Sequence, residues 1–334
     1  MVDYVTGSCQ SSCVRRDGIL AVTLRYKENT MATVKWCVIV NPQAGSVDDV
    51  AALQESLGRL DSFELKETRG PKDGTRLAKR AIEEGITHLA AAGGDGTLNE
   101  VLNGAVGCLD SVTIAVLPLG TGNDFARSVG MPADHNEAIE ILAAGQTRHV
   151  DVLRLRNRDL SRLFLNTSAG GFITKAGQKL TTELKDWLGS VAFFVAAAQS
   201  LPEMEEYQLR VKFDQDEFQE FGAYNLVVAN GRTMGGGIPI APAAKLDDGL
   251  MDIVIVPAIP LPKLAVVIPQ ILVGMHPGGG DVIMRQARRM VVTSQPNFHL
   301  NVDGEVIGEA PALFDVMEKA LRVVVNPDAE EAFV

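Results

Sequence analysis

From residue 34 onward, apolar runs alternate with amphipathic stretches. The run VKWCVIVNP is apolar up to an Asn-Pro turn, which predicts a buried strand, and SVDDVAALQESLGRL then follows a helical period, with Ser46 as its candidate cap. The alternation continues to about residue 150 through the segments FELKET, GTRLAKRAIEEG, ITHLAAAG, VTIAVLPLG and HNEAIEILAAG. Strands alternating with helices predict a parallel sheet with right-handed crossovers. We therefore predict an open, mostly parallel α/β domain over residues 34–150.

The pattern changes after Asp151. Short runs such as HVDVLRLR, YQLRVKF and LMDIVIVPA alternate apolar and polar positions and are separated by Gly, Pro and Asp-Gly turns. This texture predicts an antiparallel β-sandwich over residues 151–326, interrupted by apolar helical segments at 181–201 and 261–276. Residues 1–33 are weakly patterned, with Met31 as an alternative start, and residues 327–334 form a short tail.

Composition narrows the functional classes. The chain has 334 residues, of which 46% are hydrophobic and 22% charged, so it is long enough for two domains with their own cores. Its formal charge of −11 and the lack of a basic arm argue against a nucleic-acid binder. The same charge is weakly repelled by an anionic membrane. Any membrane contact is therefore expected to be local and largely apolar.

Cysteine usage and targeting signals indicate a cytoplasmic protein. The four cysteines have no spacing that predicts disulfide pairing, which suits a reducing compartment. The first residues lack the apolar core of a signal peptide, and no apolar run reaches the length of a spanning helix. None of the five histidines lies in a metal-ligand spacing, so we expect them to be structural or exposed.

The segment LAAAGGDGTLNEVLNG, residues 89–104, places glycines where a buried strand ends and a helix begins. Glycines there let backbone N–H groups approach an anion, and the start of the helix adds a favourable dipole. This favours phosphate binding, although a tight turn alone would also use glycine. Asp95 would repel a phosphate unless a divalent cation lay between them or Asp95 positioned a reacting group. The pattern favours Mg–nucleotide chemistry, and a helix cap is the structural alternative.

A second loop, PLGTGNDFAR at residues 118–127, has the same character. An apolar strand is followed by Gly120, Thr121, Gly122, Asn123 and Asp124 before a helix. Ligands of open α/β sheets sit at the carboxyl ends of the strands, so we expect the two loops to converge on one crevice. The chain has neither a Walker A sequence nor the HRD and DFG motifs of protein kinases.

Six segments together resemble the diacylglycerol kinase catalytic domain, particularly that of the soluble bacterial lipid kinases. They are GGDGTLNEVLNG, PLGTGNDFAR, NPQAG at 41–45, KETRGPKDGTRLAKRA at 66–81, GGGIPIAPAAKLDDGLMDIVIV at 235–256 and NVDGE at 301–305. The resemblance implies a nucleotide-binding α/β domain followed by a β-sandwich that takes the lipid. It also implies ATP-dependent phosphorylation of a lipid hydroxyl by a cytoplasmic enzyme at the membrane surface.

The resemblance assigns nucleotide-binding residues. Contacts to ATP are implied for Asn41, Thr68, Gly93, Gly94, Asp95, Gly96, Thr97, Leu98, Asn99, Gly120, Thr121, Asn123 and Asp124. Asp95 would also act with the catalytic Mg²⁺. The segment NPQAGSVDD lacks the basic residue that family members often place after this glycine, so a cation contacting phosphate has to come from elsewhere. Lys66, Arg69 and Arg127 are the candidates, and the sequence does not rank them.

The acceptor side and a second metal site also follow from the resemblance. By pattern alone, the Asp-Gly of VDGE is a hairpin turn. The resemblance implies that Glu305 accepts the proton of the lipid hydroxyl, with Asp303 as the alternative for that role or for holding metal. It further implies a structural Mg²⁺ bound by the carbonyls of Lys245 and Leu250 and by the side chain of Asp248, for which Asp247 could substitute.

Several alternatives stay open. The same motifs serve kinases of sphingoid bases, ceramide and other lipids, and a non-catalytic nucleotide- or lipid-binding protein could keep the fold. NAD kinases share the GGDGT loop but lack PLGTGNDFAR in this form. Segments 190–201 and 261–276 are apolar enough to line an acyl groove or rest on a bilayer, although such stripes are usually core. The identity of the lipid and the formation of a homodimer are not decided by the sequence.

Overall fold

The computed structural model describes residues 10–16, 19–25, 34–45, 50–172, 204–276 and 280–333. The chain divides into two compact units, Met1–Val34 and Lys35–Val334. The first contains an antiparallel hairpin of β1 (Gln10–Arg16) and β2 (Ile19–Arg25), within the stretch that the sequence predicted to be weakly structured. The candidate cap Ser46 and the apolar segment 190–201 lie outside the described residues.

The second unit begins with strands and helices in alternation. The strands are β3 (Lys35–Val40), β4 (Ser62–Glu67), β5 (His88–Gly93) and β6 (Thr113–Pro118). The helices are α1 (Val50–Leu57), α2 (Asp73–Glu83), α3 (Asp95–Gly104), α4 (Asp124–Ser128) and α5 (His135–Ala144), with a short 3-10 helix at Leu109–Ser111. All four strands pair in parallel, in the order β4-β3-β5-β6.

The antiparallel part follows and uses shorter connections. Its strands are β7 (Thr147–Arg156), β8 (Ser161–Phe164), β9 (Thr167–Gly171), β10 (Tyr207–Phe213), β11 (Gln219–Ala229), β12 (Met251–Pro257), β13 (Ile283–Ala287), β14 (Arg289–Gln295), β15 (His299–Val302), β16 (Glu305–Glu309) and β17 (Ala312–Val324). Helix α6 (Leu261–Leu272) and a 3-10 helix at Glu330–Ala332 complete the described elements. The strand order is β16-β15-β9-β11-β10-β14-β17, with β12, β13, β7 and β8 as side branches.

Strand β17 connects the two parts. It pairs antiparallel with β7 and β14, and near its end it pairs in parallel with β6 through Arg322↔Thr113 and Val323↔Ile114. The observed architecture confirms the predicted mostly parallel α/β sheet followed by antiparallel strands. The predicted boundary between residues 150 and 151 falls inside β7.

The burial pattern explains the two textures. Strand β5 is buried from Leu89 to Gly93, because helices cover both faces of a parallel sheet. Strand β10 instead alternates buried and more exposed residues, as expected for a sheet with one covered face. On its covered side the Tyr207 ring meets Phe298 edge-on at 5.6 Å, an arrangement that aromatic pairs prefer.

Helix α3 packs closely on α2. A Cβ built on Gly104 would lie 2.6 Å from the Cβ of Ala78 and 2.7 Å from the carbonyl oxygen of Thr75. The Glu100 carboxylate accepts hydrogen bonds from the N–H groups of Lys72 (2.7 Å) and Gly74 (2.8 Å) at the start of α2. An acid at this end of a helix satisfies free donors and complements the helix dipole.

This packing yields a stability prediction. We expect Gly104→Ala to lower the free energy of unfolding by about 1 to 3 kcal/mol, because the added methyl overpacks the α2–α3 contact. Gly96→Ala on the same helix is the matched control, because no atom of the described chain lies within 4 Å of its built Cβ. Denaturant unfolding of both variants provides the measurement. Equal losses for the two would contradict the packing explanation.

Candidate active site

The four parallel strands end at the same edge of the sheet. The register aligns Val40 with Glu67 and with Ala92, and Gly93 with Pro118. After β3 the chain goes first to one side, to β4, and then to the other, to β5 and β6. The loops after β3 and β5 therefore flank a topological switch point, which is where open α/β sheets bind ligands.

The two glycine loops meet at this edge, as predicted. A Cβ built on Gly120 would overlap the Cα of Gly94 and would lie 2.8 Å from its nitrogen. A Cβ on Gly93 would lie 2.7 Å from the Cβ of Thr97, while Gly96 faces open space among the described residues. Glycine is thus needed at positions 93 and 120 for close approach within the protein, and Gly96 leaves room for a ligand.

Asp95 caps a helix other than its own. Its carboxylate accepts hydrogen bonds from the N–H groups of Asp124 (3.0 Å) and Phe125 (3.1 Å), the first residues of α4. Burial raises the pKa of the Asp95 carboxyl, and the nearby charge of Asp124 raises it further. The cap that the sequence left as an alternative is thus present. Each oxygen keeps acceptor capacity, so this cap is compatible with a further partner.

Asp124 anchors a loop from the antiparallel part. It is 3% exposed, and its carboxylate accepts from Thr233 Oγ1 and from the N–H groups of Gly236 and Gly237, each at 2.8 Å. Asn123 has a left-handed backbone with φ of 53°. Its side chain accepts from the N–H of Gly120 and donates to the carbonyl of the same residue. Both residues were predicted to contact ATP, and in the structure their polar groups shape the loop.

Asp303 is joined to helix α3 and lies close enough to Asp95 to feel its charge. It lies in the turn between β15 and β16 with a left-handed φ of 46°. Its Oδ1 accepts from the N–H of Thr167 at 3.0 Å, and its Oδ2 accepts from Asn99 Nδ2 at 2.8 Å. Burial raises the pKa of the Asp303 carboxyl to about 7, and the charge of Asp95 contributes to this rise. Asn99, predicted to contact ATP, here joins α3 to Asp303.

A pair of asparagines on α3 also holds β8. The carbonyl of Leu163 accepts from Asn99 Nδ2 at 3.0 Å and from Asn103 Nδ2 at 2.9 Å, and its N–H donates to Asn103 Oδ1 at 3.0 Å. Both backbone groups of one residue are therefore satisfied by a single helix. The helix that begins at the glycine loop is thus fixed to strand β8.

Glu305 differs from Asp303 in being accessible. Its side chain is 53% exposed, and Oε2 accepts from Nη2 of Arg162 at 3.0 Å. Arg162 is 17% exposed and was not among the predicted site residues, nor were Asn103 and Thr167. Of these three residues, only Arg162 could have been noticed in the sequence, as a basic residue inside an apolar strand.

The remaining predicted nucleotide residues lie near the same edge. Asn41 closes a turn after β3, where its Oδ1 accepts from the N–H of Gln43, and a Cβ on Gly45 would lie 3.6 Å from Thr121 Oγ1. Thr68 follows β4 and lines an open cavity of about 640 Å³. Leu98 is buried in the core, and its N–H donates to the carbonyl of Gly94 at 3.1 Å.

Acids gather around the predicted metal turn, where Asp247 and Asp248 are half-buried and Asp151 of β7 packs against them. Asp151 is fully buried, and its carboxylate accepts from the N–H groups of Gly249 and Lys319, each at 2.6 Å. Burial raises the pKa of the Asp151 carboxyl, and the charges of Asp248 and Asp247 raise it further. Burial raises the pKa of Asp248 as well. A hard cation with oxygen ligands would stabilise these charges, so the donor set fits Mg²⁺.

Other features bear on metal and membrane binding. Within the described ranges, no group of three or more His, Cys, Asp or Glu side chains is arranged to hold a metal ion, and the predicted set uses one carboxylate with two carbonyls.

Of the helices described, none combines the length and apolar character needed to span a bilayer. At the end of α6, Val273 and Met275 are exposed, as is Val266 within it.

The chain matches two protein-family models in succession. Residues 35–155 match the family model of the diacylglycerol kinase catalytic domain, and residues 168–325 match the YegS C-terminal NAD kinase beta sandwich-like domain. A diacylglycerol kinase of Staphylococcus epidermidis is 33% identical over 296 residues, which cover 87% of this chain and 92% of that protein. One from Staphylococcus carnosus is 33% identical over 298 residues, covering 88% and 95%.

Solved structures share the fold. A diacylglycerol kinase from Bacillus anthracis superposes with a TM-score of 0.67 at 22% identity, covering 89% of this chain and 98% of that one. A second structure from the same strain gives a TM-score of 0.78 at 22% identity, covering 91% and 100%. At this identity, the likeness shows the arrangement of the elements alone.

Asp303 gives a pH-dependent stability prediction. Its pKa is 3.8 in the unfolded chain and about 7 in the folded one, so the unfolded state ionises first. The stability contributed by the neutral carboxyl is therefore lost as pH rises from about 4 to 7. Between pH 5 and pH 8 we expect the wild type to lose about 2 kcal/mol that Asp303→Asn does not lose.

The measurement is denaturant unfolding of both proteins at the two pH values. The substitution also places an amide opposite the Asn99 amide in place of an acceptor. That cost is present at both values, so the comparison uses the difference between them. Asp61→Asn, at an exposed aspartate, is the control and should follow the wild type. Parallel pH dependences of wild type and Asp303→Asn would show that Asp303 does not titrate in this range.

Proposed function

Because the chain belongs to the diacylglycerol kinase family, we propose that this lipid kinase transfers the γ-phosphoryl group of ATP to the hydroxyl of diacylglycerol or a closely related lipid. One observation supports the proposal most strongly. Helix α3 begins at the glycine loop with Asp95, and through Asn99 it donates to Asp303, two residues before Glu305. A phosphate held at the start of α3 and an alcohol presented about one turn further along would therefore be positioned by the same rigid helix.

Backbone N–H groups of the two glycine loops would bind the triphosphate. Gly96 leaves open space at the start of α3 among the described residues, and the helix dipole there favours an anion. The contact between Gly94 and Gly120 keeps both loops in one arrangement before the nucleotide arrives. Such preorganisation reduces the ordering cost of binding. We propose that Thr68 and Thr121 also contact the nucleotide. Thr68 directly follows β4, and Thr121 faces the loop after β3 at Gly45.

We propose that Glu305 accepts the proton of the lipid hydroxyl. Its half-exposed side chain is reachable by a substrate, whereas both oxygens of Asp303 already accept hydrogen bonds from the protein. In the reaction the lipid oxygen bonds to the γ-phosphorus, the bond between that phosphorus and the bridging oxygen breaks, and ADP leaves with the electron pair. The hydroxyl proton passes to Glu305. Asp303 fixes the turn that presents this base.

Two acidic groups of residues would hold Mg²⁺. Asp95, with Asp303 nearby, would face a nucleotide-bound ion, and Asp248 with the carbonyls of Lys245 and Leu250 would hold a structural one. When bound at the reaction site, Mg²⁺ would supply neutralisation of phosphate charge. The raised pKa values of Asp95 and Asp303 support this assignment, because burial and a neighbouring acid both disfavour the charge that a cation would stabilise.

We assign residues 34–150 to nucleotide binding and residues 151–326 to the lipid. A lipid acceptor requires contact with a membrane surface, and the exposed Val266, Val273 and Met275 on and after α6 provide an apolar surface for it. We therefore propose peripheral contact with the membrane from the cytoplasmic side.

The activity test uses labelled ATP with a panel of lipids in mixed micelles. We expect diacylglycerol to be phosphorylated and Glu305→Gln to lower kcat by about 10² to 10⁴-fold, the usual range for removal of a general base. We also expect Asp95→Asn to be strongly impaired. Glu309→Gln, which changes an exposed acid on the same strand β16, should keep wild-type activity.

The panel also separates the alternatives. If the protein preferred ceramide or a sphingoid base, it would still be a lipid kinase, but the proposed substrate would be wrong. Phosphorylation of no lipid, or full activity of Glu305→Gln, would contradict the proposal.

The structural ion has a test of its own. At a Mg²⁺ concentration about 100 times the dissociation constant, binding to the folded state alone should add about 2.7 kcal/mol to the free energy of unfolding. We expect Asp248→Asn to lose most of this gain and Asp110→Asn, at an exposed aspartate, to keep it. Thermal unfolding with and without Mg²⁺ measures the effect. If Mg²⁺ stabilised the wild type and both variants equally, Asp248 would not be a ligand of the ion.

A further inference from the structure

Arg162 lies beside two parts of the site. One is helix α3, which begins at the glycine loop, and the other is the turn at residues 303–305, which we call the acceptor turn. Arg162 belongs to β8, and the next residue, Leu163, has its N–H and its carbonyl both hydrogen-bonded to Asn99 or Asn103 of α3. These bonds fix β8 against α3. The backbone of Arg162 therefore has a fixed position relative to the loop that begins α3.

The guanidinium group of Arg162 acts on both acids of the acceptor turn. Its Nη2 donates to Glu305 Oε2 at 3.0 Å, and its charge partly offsets the burial that raises the pKa of the neighbouring Asp303. The Arg162 Nε is buried and has no hydrogen-bond partner in the described part of the chain. An arginine with one N–H committed to a carboxylate and another left without a partner has unused capacity to donate.

Two of the cations that the sequence proposed for phosphate are engaged elsewhere. Lys66 is paired with Glu64 at 2.9 Å and with Glu84 at 3.3 Å. Arg127 donates to the carbonyl of Gly122 and lies 3.5 Å from Asp124. The charges of both side chains are thus partly compensated by neighbouring groups of the α/β part. Arg162, by contrast, is paired with an acid of the acceptor turn.

Electrostatics favour a cation at this position. Asp95, Asp303 and Glu305 are acids close to one crevice, and a triphosphate adds further negative charge as the phosphoryl group moves toward the acceptor. In many enzymes, hydrogen-bond donors already oriented toward the charge that develops in the transition state make the largest single contribution to the rate enhancement. The planar guanidinium group matches phosphate oxygens better than an ammonium group does.

We propose that Arg162 is a further catalytic residue of the phosphoryl transfer, holding Glu305 toward the acceptor before reaction and donating to the transferring phosphoryl group during it. This rests on the proposed function. While Glu305 is ionised, it binds Arg162. When Glu305 takes the hydroxyl proton, its charge is lost and the ion pair weakens. The freed N–H groups of Arg162 then bind the phosphate oxygens, so proton transfer and phosphate stabilisation are coupled.

Steady-state kinetics provide the first test. We expect Arg162→Gln to lower kcat by about 10² to 10³-fold, as loss of a preorganised donor does, with little change in KM for ATP. Arg162→Lys should recover part of the rate, because it keeps the charge without the planar fork. Arg154→Gln is the matched control: Arg154 lies on the neighbouring strand β7, where it pairs with Asp315 at 2.8 Å. Its kcat should equal that of the wild type.

A binding measurement tests Arg162 without a lipid. ADP with aluminium fluoride mimics the phosphoryl group in transfer, so Arg162→Gln should bind it at least about tenfold more weakly than the wild type while binding ADP alone equally well. Arg154→Gln should bind both as the wild type does. Calorimetric titration gives these affinities, and thermal unfolding verifies that each variant is folded.

The outcomes separate the two proposals. If the wild type phosphorylates no lipid but Arg162→Gln loses affinity for the aluminium fluoride complex alone, the proposed function fails and the role of Arg162 stands. If Arg162→Gln matches Arg154→Gln in kcat and in this affinity, or if its loss is confined to KM for ATP, Arg162 is not a catalytic residue.

Discussion

Gly120 lies so close to Gly94 that a Cβ on Gly120 would overlap the Cα of Gly94, and the arrangement of the site depends on this contact. It brings the ends of β5 and β6 together in such a way that the first residue of α3 reaches the first turn of α4. Asp95 can then accept from two N–H groups of α4, and Asp124 is directed toward Gly236 and Gly237. A methyl group at Gly120 would separate the loops and break these bonds together.

Acids in these loops satisfy the starts of neighbouring helices. Asp95 does so for α4 and Glu100 for α2, while Asp134 caps its own helix α5 by accepting from the N–H groups of Asn136 and Glu137. Each carboxylate meets free backbone donors and the positive end of a dipole. At Asp95, burial and the charge of a second acid also raise the pKa of the carboxyl. This capping carboxylate therefore lies where a nearby cation would stabilise its charge.

Much of the fold follows from local patterns, and the exceptions have physical causes. The alternation up to residue 150 predicts β3 to β6 and their helices because buried parallel strands are short apolar runs. Strand β17 was not among the predicted runs. Its pairing with β7 is irregular between Met317 and Leu321, and Lys319 has a left-handed φ of 48°, so the two-residue period is interrupted.

The site divides in a similar way. Convergence of the glycine loops was predictable, because parallel strands present their carboxyl ends at one edge. The partners of individual side chains were not. Asp124 meets Gly236 at a separation of 112 residues, and Asn99 meets Asp303 at a separation of 204. No local period encodes such contacts, and Arg162 acquires its significance only when β8 is placed against α3.

The parallel pairing of β17 with β6 has a consequence for the order of folding. Until residues 322 and 323 are in place, β6 keeps an unpaired edge, and unpaired edges are sites of wrong association. The glycine-loop sheet is thus completed by a strand that is synthesised long after β6. A contact of such long sequence separation slows folding, because the loop must close before the pairing compensates it. From the synthesis of β6 until β17 arrives, the nascent chain therefore carries a glycine-loop sheet with an open edge, which exposes it to chaperones and to aggregation.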